Sequence, residues 1–271
     1  TFFLLNPTWS VLPGIYAKYF GLSLTTIAMV AFYSRIFDAV SDPLIGYLSD
    51  RHRVAGGSRK TWVITGTFLF LIAAYFLFNP PKDVSAGYYL FYSMLFYLAL
   101  TIVDVPHAAW GGEVVLDYSQ RGKVYSYRVA AMNIGQVMFF VLPLVPIFST
   151  QEYTPETLKV ATFFAIGIAL PILAFSAFFA PKGEIVKTEK GDSLGDLYQS
   201  IVKNRPLILF LSAYLFSGLS VGMWSGLMFI YLDMYLNLGD KVAVILFSGN
   251  LAGLLSIPVW LILLKKTSKA F

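Results

Sequence analysis

The chain has 271 residues, of which 57% are hydrophobic and only 13% are charged, and its mean hydropathy is +0.69. A soluble domain averages about 25% charged residues, so this chain has too little polar surface to cover itself in water and is expected in a lipid bilayer. Cysteine is absent, which excludes disulfides and thiol catalysis, and the net charge of +5 matters through where the charges lie.

Apolar runs recur along the whole chain. A helix needs about 20 apolar residues to cross the hydrocarbon core. Eight such runs are present, at 1–20, 24–48, 61–79, 87–110, 126–148, 160–180, 207–233 and 243–264. The sequence therefore predicts an all-α membrane protein with eight transmembrane helices. No basic segment precedes the first run and both ends look like cuts, so we expect a fragment without a signal peptide.

The connections between these runs alternate in charge. One set carries 15 of the 20 Lys and Arg residues and comprises 50–60, 117–128, 181–206 and the tail from Lys265. The other set carries four basic residues, in the turns near Lys18, Lys82, Lys159 and Lys241. Because basic loops stay on the inner side, the first set is expected in the cytoplasm of a multi-pass protein in the bacterial inner membrane.

The connection at 181–206 is polar and far longer than the others. It predicts a cytoplasmic middle loop between an N-terminal six-helix bundle (1–180) and the start of a C-terminal bundle (207–271) that contains helices seven and eight. The second bundle shows traces of a repeat, because "SDPLIGYLSDR" (41–51) aligns with "SIPVWLILLKK" (256–266). Parallel repeats of six helices are one plan of secondary transporters.

Charged residues lie inside the second and fourth runs. Arg35, Asp38 and Asp42 are spaced i, i+3 and i+7, so they form one stripe on a helix face. A charge at the centre of a membrane helix costs about 2.5–3.5 kcal/mol, so this face must point at protein or water. A single Arg–Asp ion pair that pins two helices together is the bland interpretation.

A third carboxylate, Asp104 in the fourth run, makes this interpretation insufficient. If Asp104 faces the same cavity, three carboxylates meet one guanidinium and the set is near −2. A dry site holds such charge only by taking up a proton or by binding a hard metal ion through oxygen ligands. Asp38 and Asp42, which have no acidic counterparts at the aligned positions of the second bundle, are therefore the predicted cation site.

Two more side chains near Asp104 are candidates for the substrate site. His107 lies three residues further along the helix and could join a proton path, although a packed or interfacial histidine is the alternative. Trp110 could stack on a sugar ring, although the chain is 17% aromatic and a packing role is the alternative.

Motifs of soluble enzymes are not evident. No Walker loop, H-E-x-x-H motif or kinase set occurs, and the two histidines, His52 and His107, are too few for histidine-based metal chemistry. Topology accounts for the basic loops, so nucleic acid is not expected as a partner. The sequence predicts no enzyme and no bound cofactor.

Two segments together carry a family resemblance. "RIFDAVSDPLIGYLSDR" (35–51) and "TIVDVPHAAWGGEVVLDYSQR" (101–121) resemble the glycoside–pentoside–hexuronide:cation symporters, the melibiose-carrier-like group of the major facilitator superfamily. The resemblance follows the whole chain in helix order and implies a twelve-helix fold, of which about four helices lie outside this sequence. The position of the melibiose carrier's helix-one aspartate falls near Phe2, and residues 1–37 contain no acid.

The resemblance also implies roles for single residues. Asp38 and Asp42 would hold the cation, Na⁺ or H⁺, and as metal ligands they would bind Na⁺. Asp104 would contact the sugar, with Arg35 beside both sites. The cytoplasmic gate that latches the two bundles would contain Asp50, Arg51, Arg59 and Lys60, and we extend it to Asp117 and Arg121.

The sequence-based interpretation is thus a monomeric secondary active transporter that carries a sugar or glycoside with a monovalent cation by alternating access. Two alternatives stay open at this point. One is a lipid or lysolipid carrier of the same superfamily, in which the acids serve gating. The other is a membrane receptor or scaffold that transports nothing.

Overall fold

The computed structural model describes residues 2–115, 118–181, 183 and 202–266. Over these residues the chain forms nine α-helices: α1 (Phe2–Ser10), α2 (Leu12–Phe20), α3 (Leu24–Val54), α4 (Arg59–Phe78), α5 (Ala86–Val114), α6 (Tyr118–Val141), α7 (Pro155–Phe179), α8 (Arg205–Ile230) and α9 (Val242–Lys266). A π-helical turn at Tyr231–Tyr235 extends α8, and short 3-10 turns lie at Leu142–Leu144 and Gly239–Lys241. The all-α prediction is confirmed.

Short polar residues set the beginnings of the helices. The side chains of Ser23, Ser85 and Thr154 accept hydrogen bonds from backbone N–H groups three residues later, at the first turns of α3, α5 and α7. Each bond satisfies a donor that has no partner within the helix. Gly21 ends α2 with φ +68°, a left-handed conformation that glycine adopts without a steric penalty, and the chain turns there into α3.

The first predicted span is not one regular helix. It divides at Val11 into α1 and α2, with Pro13 in the first turn of α2. Proline has no N–H to donate to the preceding turn, which favours a break at this point. The two pieces remain joined by bonds from Val11 N to Pro7 O (2.9 Å) and from Ile15 N to Val11 O (3.1 Å).

Six segments among the described residues are long and apolar enough to cross a membrane: 24–54, 59–78, 86–114, 124–144, 155–179 and 205–235. They match six of the eight predicted spans. The first span consists of two nine-residue helices, and the eighth, α9, falls outside this set. The count of eight transmembrane helices therefore stays a prediction.

α5 packs against both α4 and α3. Gly66 on α4 allows this, because a methyl group at its position would lie 2.7 Å from the side chain of Ile102 on α5. The second bundle contacts the first mainly where α8 ends and α9 begins. Phe229, Leu232 and Val242 are buried there in the same core as α1 and α2, whereas the described side chains of α8 before Leu227 are largely exposed.

One sequence pattern is resolved by its place in the fold. Gly218, Ser220 and Gly222 have the G-x-S-x-G spacing of a hydrolase nucleophile elbow. That motif requires a sharp turn between a strand and a helix. Here all three residues lie in the middle of α8, so the pattern forms no nucleophile elbow.

Candidate functional site

The charged stripe of α3 faces α5. Arg35 Nη1 donates to Asp38 Oδ2 at 3.2 Å, and the same guanidinium donates through Nη2 to the hydroxyl of Tyr97 at 3.2 Å. Asp38 is half-buried, while Asp42, one turn further along, is exposed. The predicted spacing therefore does bring the three side chains to one face, and that face points at a neighbouring helix of the protein.

Thr101 on α5, a residue that no sequence pattern marks, joins the two acids. Its Oγ1 donates to Asp42 Oδ1 at 2.7 Å and also lies 3.3 Å from Asp38 Oδ1. Thr101 is almost fully buried, which fixes the hydroxyl between the carboxylates. Two carboxylates and one hydroxyl present a set of hard oxygen donors, of the kind that suits H⁺ or a hard cation.

Arg35 is held by aromatic rings from two helices. Its guanidinium carbon lies 4.5 Å from the ring centroid of Trp9 on α1 and 4.5 Å from that of Tyr97 on α5. Attraction between a cation and an aromatic face contributes about 0.5–2 kcal/mol, more where water is displaced. The position of this charge is therefore set by α1 and α5 as well as by Asp38.

Asp104, the third acid, is paired with an arginine, and this corrects the charge of −2 expected for the cluster of three acids and Arg35. Arg128 on α6 makes an ion pair with Asp104 on α5 through Nη2 and Oδ1. The charge pattern of the sequence assigns Arg128 to the end of a cytoplasmic loop, but the residue lies inside the helix. With Arg35 beside Asp38 and Arg128 beside Asp104, three carboxylates meet two guanidiniums. The formal excess is one negative charge.

The two other substrate candidates lie on different sides of α5. His107 is exposed one turn after Asp104, so it stays a candidate. Trp110 is buried against Val63 and Val103, and its Nε1 donates to Pro181 O at 3.0 Å. This environment favours the packing alternative, and the role of Trp110 in stacking on a sugar stays a prediction. The physical reason is the helical repeat: six residues correspond to about 240° around a helix, which turns Trp110 away from Asp104.

Two of the predicted gate residues, Asp50 and Arg59, belong to a network centred on Glu113, a residue outside the predicted set. Glu113 Oε1 lies 2.5 Å from Arg59 Nε, and Oε2 lies 2.9 Å from Arg53 Nε. The side chains of the two arginines are 9% exposed and that of Glu113 is 12% exposed. Arg59 also donates to Asp50 Oδ1 at 2.6 Å and to Ser49 Oγ at 3.1 Å.

This network holds one bundle together and, among the described residues, does not contact α8 or α9. It joins α3, α4 and α5 to the segment after α7, because Arg53 donates to Gly183 O at 2.9 Å. Gly183 has φ +77°, and a Cβ there would lie 2.9 Å from Glu113 Cβ, so only glycine fits. The expectation that these residues latch the two bundles stays a prediction.

The other predicted gate residues lie outside this network or outside the described residues. Lys60 donates to Ala177 O at 2.6 Å and so binds the end of α7. Arg51 is exposed and donates to Tyr47 at 3.3 Å, outside the network. Asp117 and the side chain of Arg121 lie outside the described residues.

An ion pair between the bundles, Lys18 with Asp233, lies at the opposite end of the molecule. Lys18 Nζ, near the end of α2, lies 3.1 Å from Glu152 Oε2 and 3.2 Å from Asp233 Oδ1 in the turn after α8. The side chain of Asp233 is only 6% exposed. Because α3 begins close to Lys18 in the chain and ends at the Glu113 network, the two clusters lie at opposite ends. In the sequence these three charges look like ordinary residues at the ends of spans.

A cavity of about 250 Å³ lies between the two bundles. Its polar lining forms a chain of amides: Asn6 on α1 donates to Gln136 Oε1 on α6 at 2.6 Å, and Gln136 Nε2 bonds with Asn250 Oδ1 on α9. Trp9 and Trp224 supply aromatic walls. Amides both donate and accept, as sugar hydroxyls do, so this lining suits a neutral polyhydroxylated ligand.

We expect Lys18→Met to loosen the contact between the bundles. The substitution leaves the buried carboxylate of Asp233 without its cation, which is strongly unfavourable. Because the chain has no cysteine, Met234→Cys places a single thiol in the cavity of about 410 Å³ beside this cluster. A membrane-impermeant maleimide should label this thiol at least about fivefold faster in Lys18→Met/Met234→Cys than in Met234→Cys alone. Lys159→Met removes an exposed charge and should leave the rate unchanged; equal rates in both variants would contradict the prediction.

Comparison with known proteins gives a consistent set of matches. The family model described as "MFS/sugar transport protein" matches residues 7–270. The chain is 27% identical over 247 residues to the inner membrane symporter YicJ of Escherichia coli K12, which covers 88% of this chain and 53% of the relative. It is 30% identical over 186 residues to the putative glycoside/cation symporter YagG of the same organism, which covers 66% of this chain and 40% of the relative.

A lipid-related protein also matches, over a shorter stretch. The sodium-dependent lysophosphatidylcholine symporter 1 of Gallus gallus is 28% identical over 115 residues, which covers 41% of this chain and 22% of that protein. The chain spans about half the length, or less, of these curated relatives.

Proposed function

This chain belongs to the MFS/sugar transport protein family, and from that premise we propose that the whole protein carries a sugar or glycoside together with Na⁺ or H⁺ by alternating access. The predicted membership of the glycoside–pentoside–hexuronide:cation symporters is confirmed by the same matches. The chain is accordingly a multi-pass integral membrane protein of a transporter family, not an enzyme. A bacterial inner membrane is the location that we propose.

The observation that carries the proposal is the one carboxylate in excess. Asp42 has no ion pair among the described residues, while Asp38 and Asp104 each have a guanidinium. The hydroxyl of Thr101, at 2.7 Å, orients Asp42 toward Asp38. One added positive charge neutralises the cluster, so the pair fits a single monovalent cation, with Arg35 as the group that the cation displaces or moves.

For the substrate we propose the space between Asp104 and the cavity that separates the bundles. Asp104 and Arg128 together offer a charge-assisted acceptor and donor for sugar hydroxyls, and His107 lies one turn after Asp104 on α5. Arg35, beside Asp38, is the further charged group that we propose for this site. The amides of Asn6, Gln136 and Asn250 supply neutral partners in the cavity. This division puts the charged groups of both sites on α3, α5 and α6.

The proposed orientation puts the basic connections 50–60, 117–128 and 181–206 in the cytoplasm. The end that contains Lys18 and Asp233 then faces outward, and the bundles are in contact there. Alternating access would require this contact to open when the bundles rock about the midplane cavity.

Uptake by membrane vesicles tests the proposal. A panel of radiolabelled mono- and disaccharides, with lysophosphatidylcholine as the lipid arm, is offered under an imposed Na⁺ gradient, a proton gradient or neither. We expect at least one sugar to accumulate above its outside concentration under one of the gradients, since each coupled charge contributes about 2.3 kcal/mol per 100 mV. Accumulation of no sugar under either gradient would overturn the proposal.

The lysolipid carrier is a second candidate, favoured by the match to the lysophosphatidylcholine symporter over 115 residues. The cavity lining distinguishes the two. Four of its side chains, Asn6, Ser10, Gln136 and Asn250, are polar and uncharged, which suits a sugar better than an acyl chain. Uptake of lysophosphatidylcholine alone in the same panel would favour the lipid carrier.

A further inference from the structure

Trp9 lies between the cavity and Arg35, the arginine that is paired with Asp38. Its indole lines the cavity between the bundles, together with Gln136 and Asn250. The same ring lies 4.5 Å from the guanidinium carbon of Arg35, which in turn donates to Asp38 Oδ2 at 3.2 Å. An unbroken chain of contacts therefore runs from the cavity to the acid pair.

The contacts of Arg35 suit a side chain that shifts when a cation binds. Arg35 donates to Oδ2 of Asp38, while Oδ1 of the same carboxylate lies 3.3 Å from the Thr101 hydroxyl that also bonds with Asp42. A cation bound between Asp38 and Asp42 would therefore compete with Arg35 for the negative charge of one carboxylate. Entry of the cation weakens the attraction between Asp38 and the guanidinium. Arg35 already lies against its two aromatic contacts, and its 45% side-chain exposure gives the guanidinium room to shift on its open side.

We propose that Trp9 is the positioning residue that couples substrate occupancy of the cavity to the cation site, acting through Arg35. A substrate that packs against the indole fixes the ring. The fixed ring holds the guanidinium away from Asp38, and the freed carboxylate binds the cation more tightly. By linkage, the cation raises the affinity for substrate by the same factor. This inference rests on the proposed function.

The second tryptophan of the cavity provides a matched control. Trp224 on α8 lines the same cavity, but the aromatic rings found against Arg35 in the described residues are those of Trp9 and Tyr97. Its loss removes aromatic surface from the substrate and leaves the path to the acid pair intact. A conservative change also exists, because Trp9→Phe keeps an aromatic face for the guanidinium.

The test measures equilibrium binding of 4-nitrophenyl glycosides of galactose, glucose and glucuronic acid to the purified full-length protein. Kd is compared between Na⁺ and choline at one pH, and between acidic and alkaline buffer in case the coupling ion is a proton. For the wild type we expect the saturating cation to lower Kd about 5- to 150-fold, the usual range of coupling between sites. For Trp9→Ala the ratio should fall to within about twofold of one.

The other variants decide what the change means. Trp224→Ala should weaken binding of the glycoside, but the ratio of Kd without the cation to Kd with it should stay at the wild-type value. Trp9→Phe should keep most of this cation effect on Kd. The role of the indole–guanidinium contact would be overturned if Trp9→Ala kept the wild-type effect of the cation on Kd. It would also be overturned if Trp9→Phe lost this effect as fully as Trp9→Ala. If the wild type itself binds none of these glycosides, or binds them without a cation effect, the proposed function fails together with this inference.

Discussion

Glu113→Gln should destabilise the folded protein by about 3–5 kcal/mol, the cost of removing one partner from a buried ion pair. Glu113 is the carboxylate shared by Arg53 and Arg59, and both guanidinium side chains are 9% exposed. An amide accepts from one guanidinium through its oxygen but turns N–H groups toward the other. We expect a lower midpoint of heat-induced aggregation for the detergent-purified protein.

A matched control exists within the same network. Asp50 also bonds with Arg59, at 2.6 Å, but its side chain is 66% exposed. Exposed ion pairs contribute about 0–1 kcal/mol, so Asp50→Asn should lower the midpoint far less. Adding Arg53→Met to Glu113→Gln removes one of the unpaired charges and should recover part of the loss. Similar aggregation midpoints for Glu113→Gln and Asp50→Asn would contradict the argument that the buried ion pairs stabilise the fold more than the exposed one.

The sequence predicts the large apolar helices well, because the membrane imposes a length and a composition that are visible in one dimension. It predicts the break in the first span less well, although Pro7 and Pro13 are both present there. The π-helical turn that contains Asp233 has no sequence signal that we can identify. It depends on how the end of α8 packs against α2 and the turn before α7.

The stripe of Arg35, Asp38 and Asp42 could be predicted because its members share one helix, where spacing alone fixes the face. The partners could not, because they come from other helices. Thr101 and Arg128 lie in no local pattern that marks them, and Glu113 lies near the end of its span, where a charge is ordinary. Which charges meet depends on how α4, α5 and α6 are rotated about their axes.

The aligned segments 41–51 and 256–266 share one detail of local structure. Ser41 Oγ donates to Asp38 O at 3.3 Å, and Ser256 Oγ donates to Gly253 O at 2.7 Å. The two bonds have the same three-residue spacing at aligned positions. The side chain of residue 38 is thus the difference between them, which agrees with a scaffold role for the serine and a separate role for the acid.

Asp42→Asn should abolish uphill accumulation of substrate while the protein remains in the membrane. The substitution removes the carboxylate in excess, so the remaining acids and guanidiniums balance and no added cation is favoured. Folding should be preserved, because Asp42 is exposed and has no ion pair among the described residues. The measurement is the steady-state ratio of inside to outside sugar in vesicles under the driving gradient, and we expect a ratio near one.

Downhill exchange separates loss of coupling from loss of transport. We expect Asp42→Asn to retain counterflow of the same sugar, because Asp104, Arg128 and the cavity lining are untouched. Asp83→Asn, an exposed acid in a turn, should accumulate like the wild type. Thr101→Ser keeps the hydroxyl that reaches Asp42 at 2.7 Å and should stay coupled, whereas Thr101→Val should weaken the cation dependence. If Asp42→Asn still accumulated sugar under the cation gradient, the coupling ion would have to be held elsewhere. The other carboxylate of the stripe, Asp38, is already paired with Arg35.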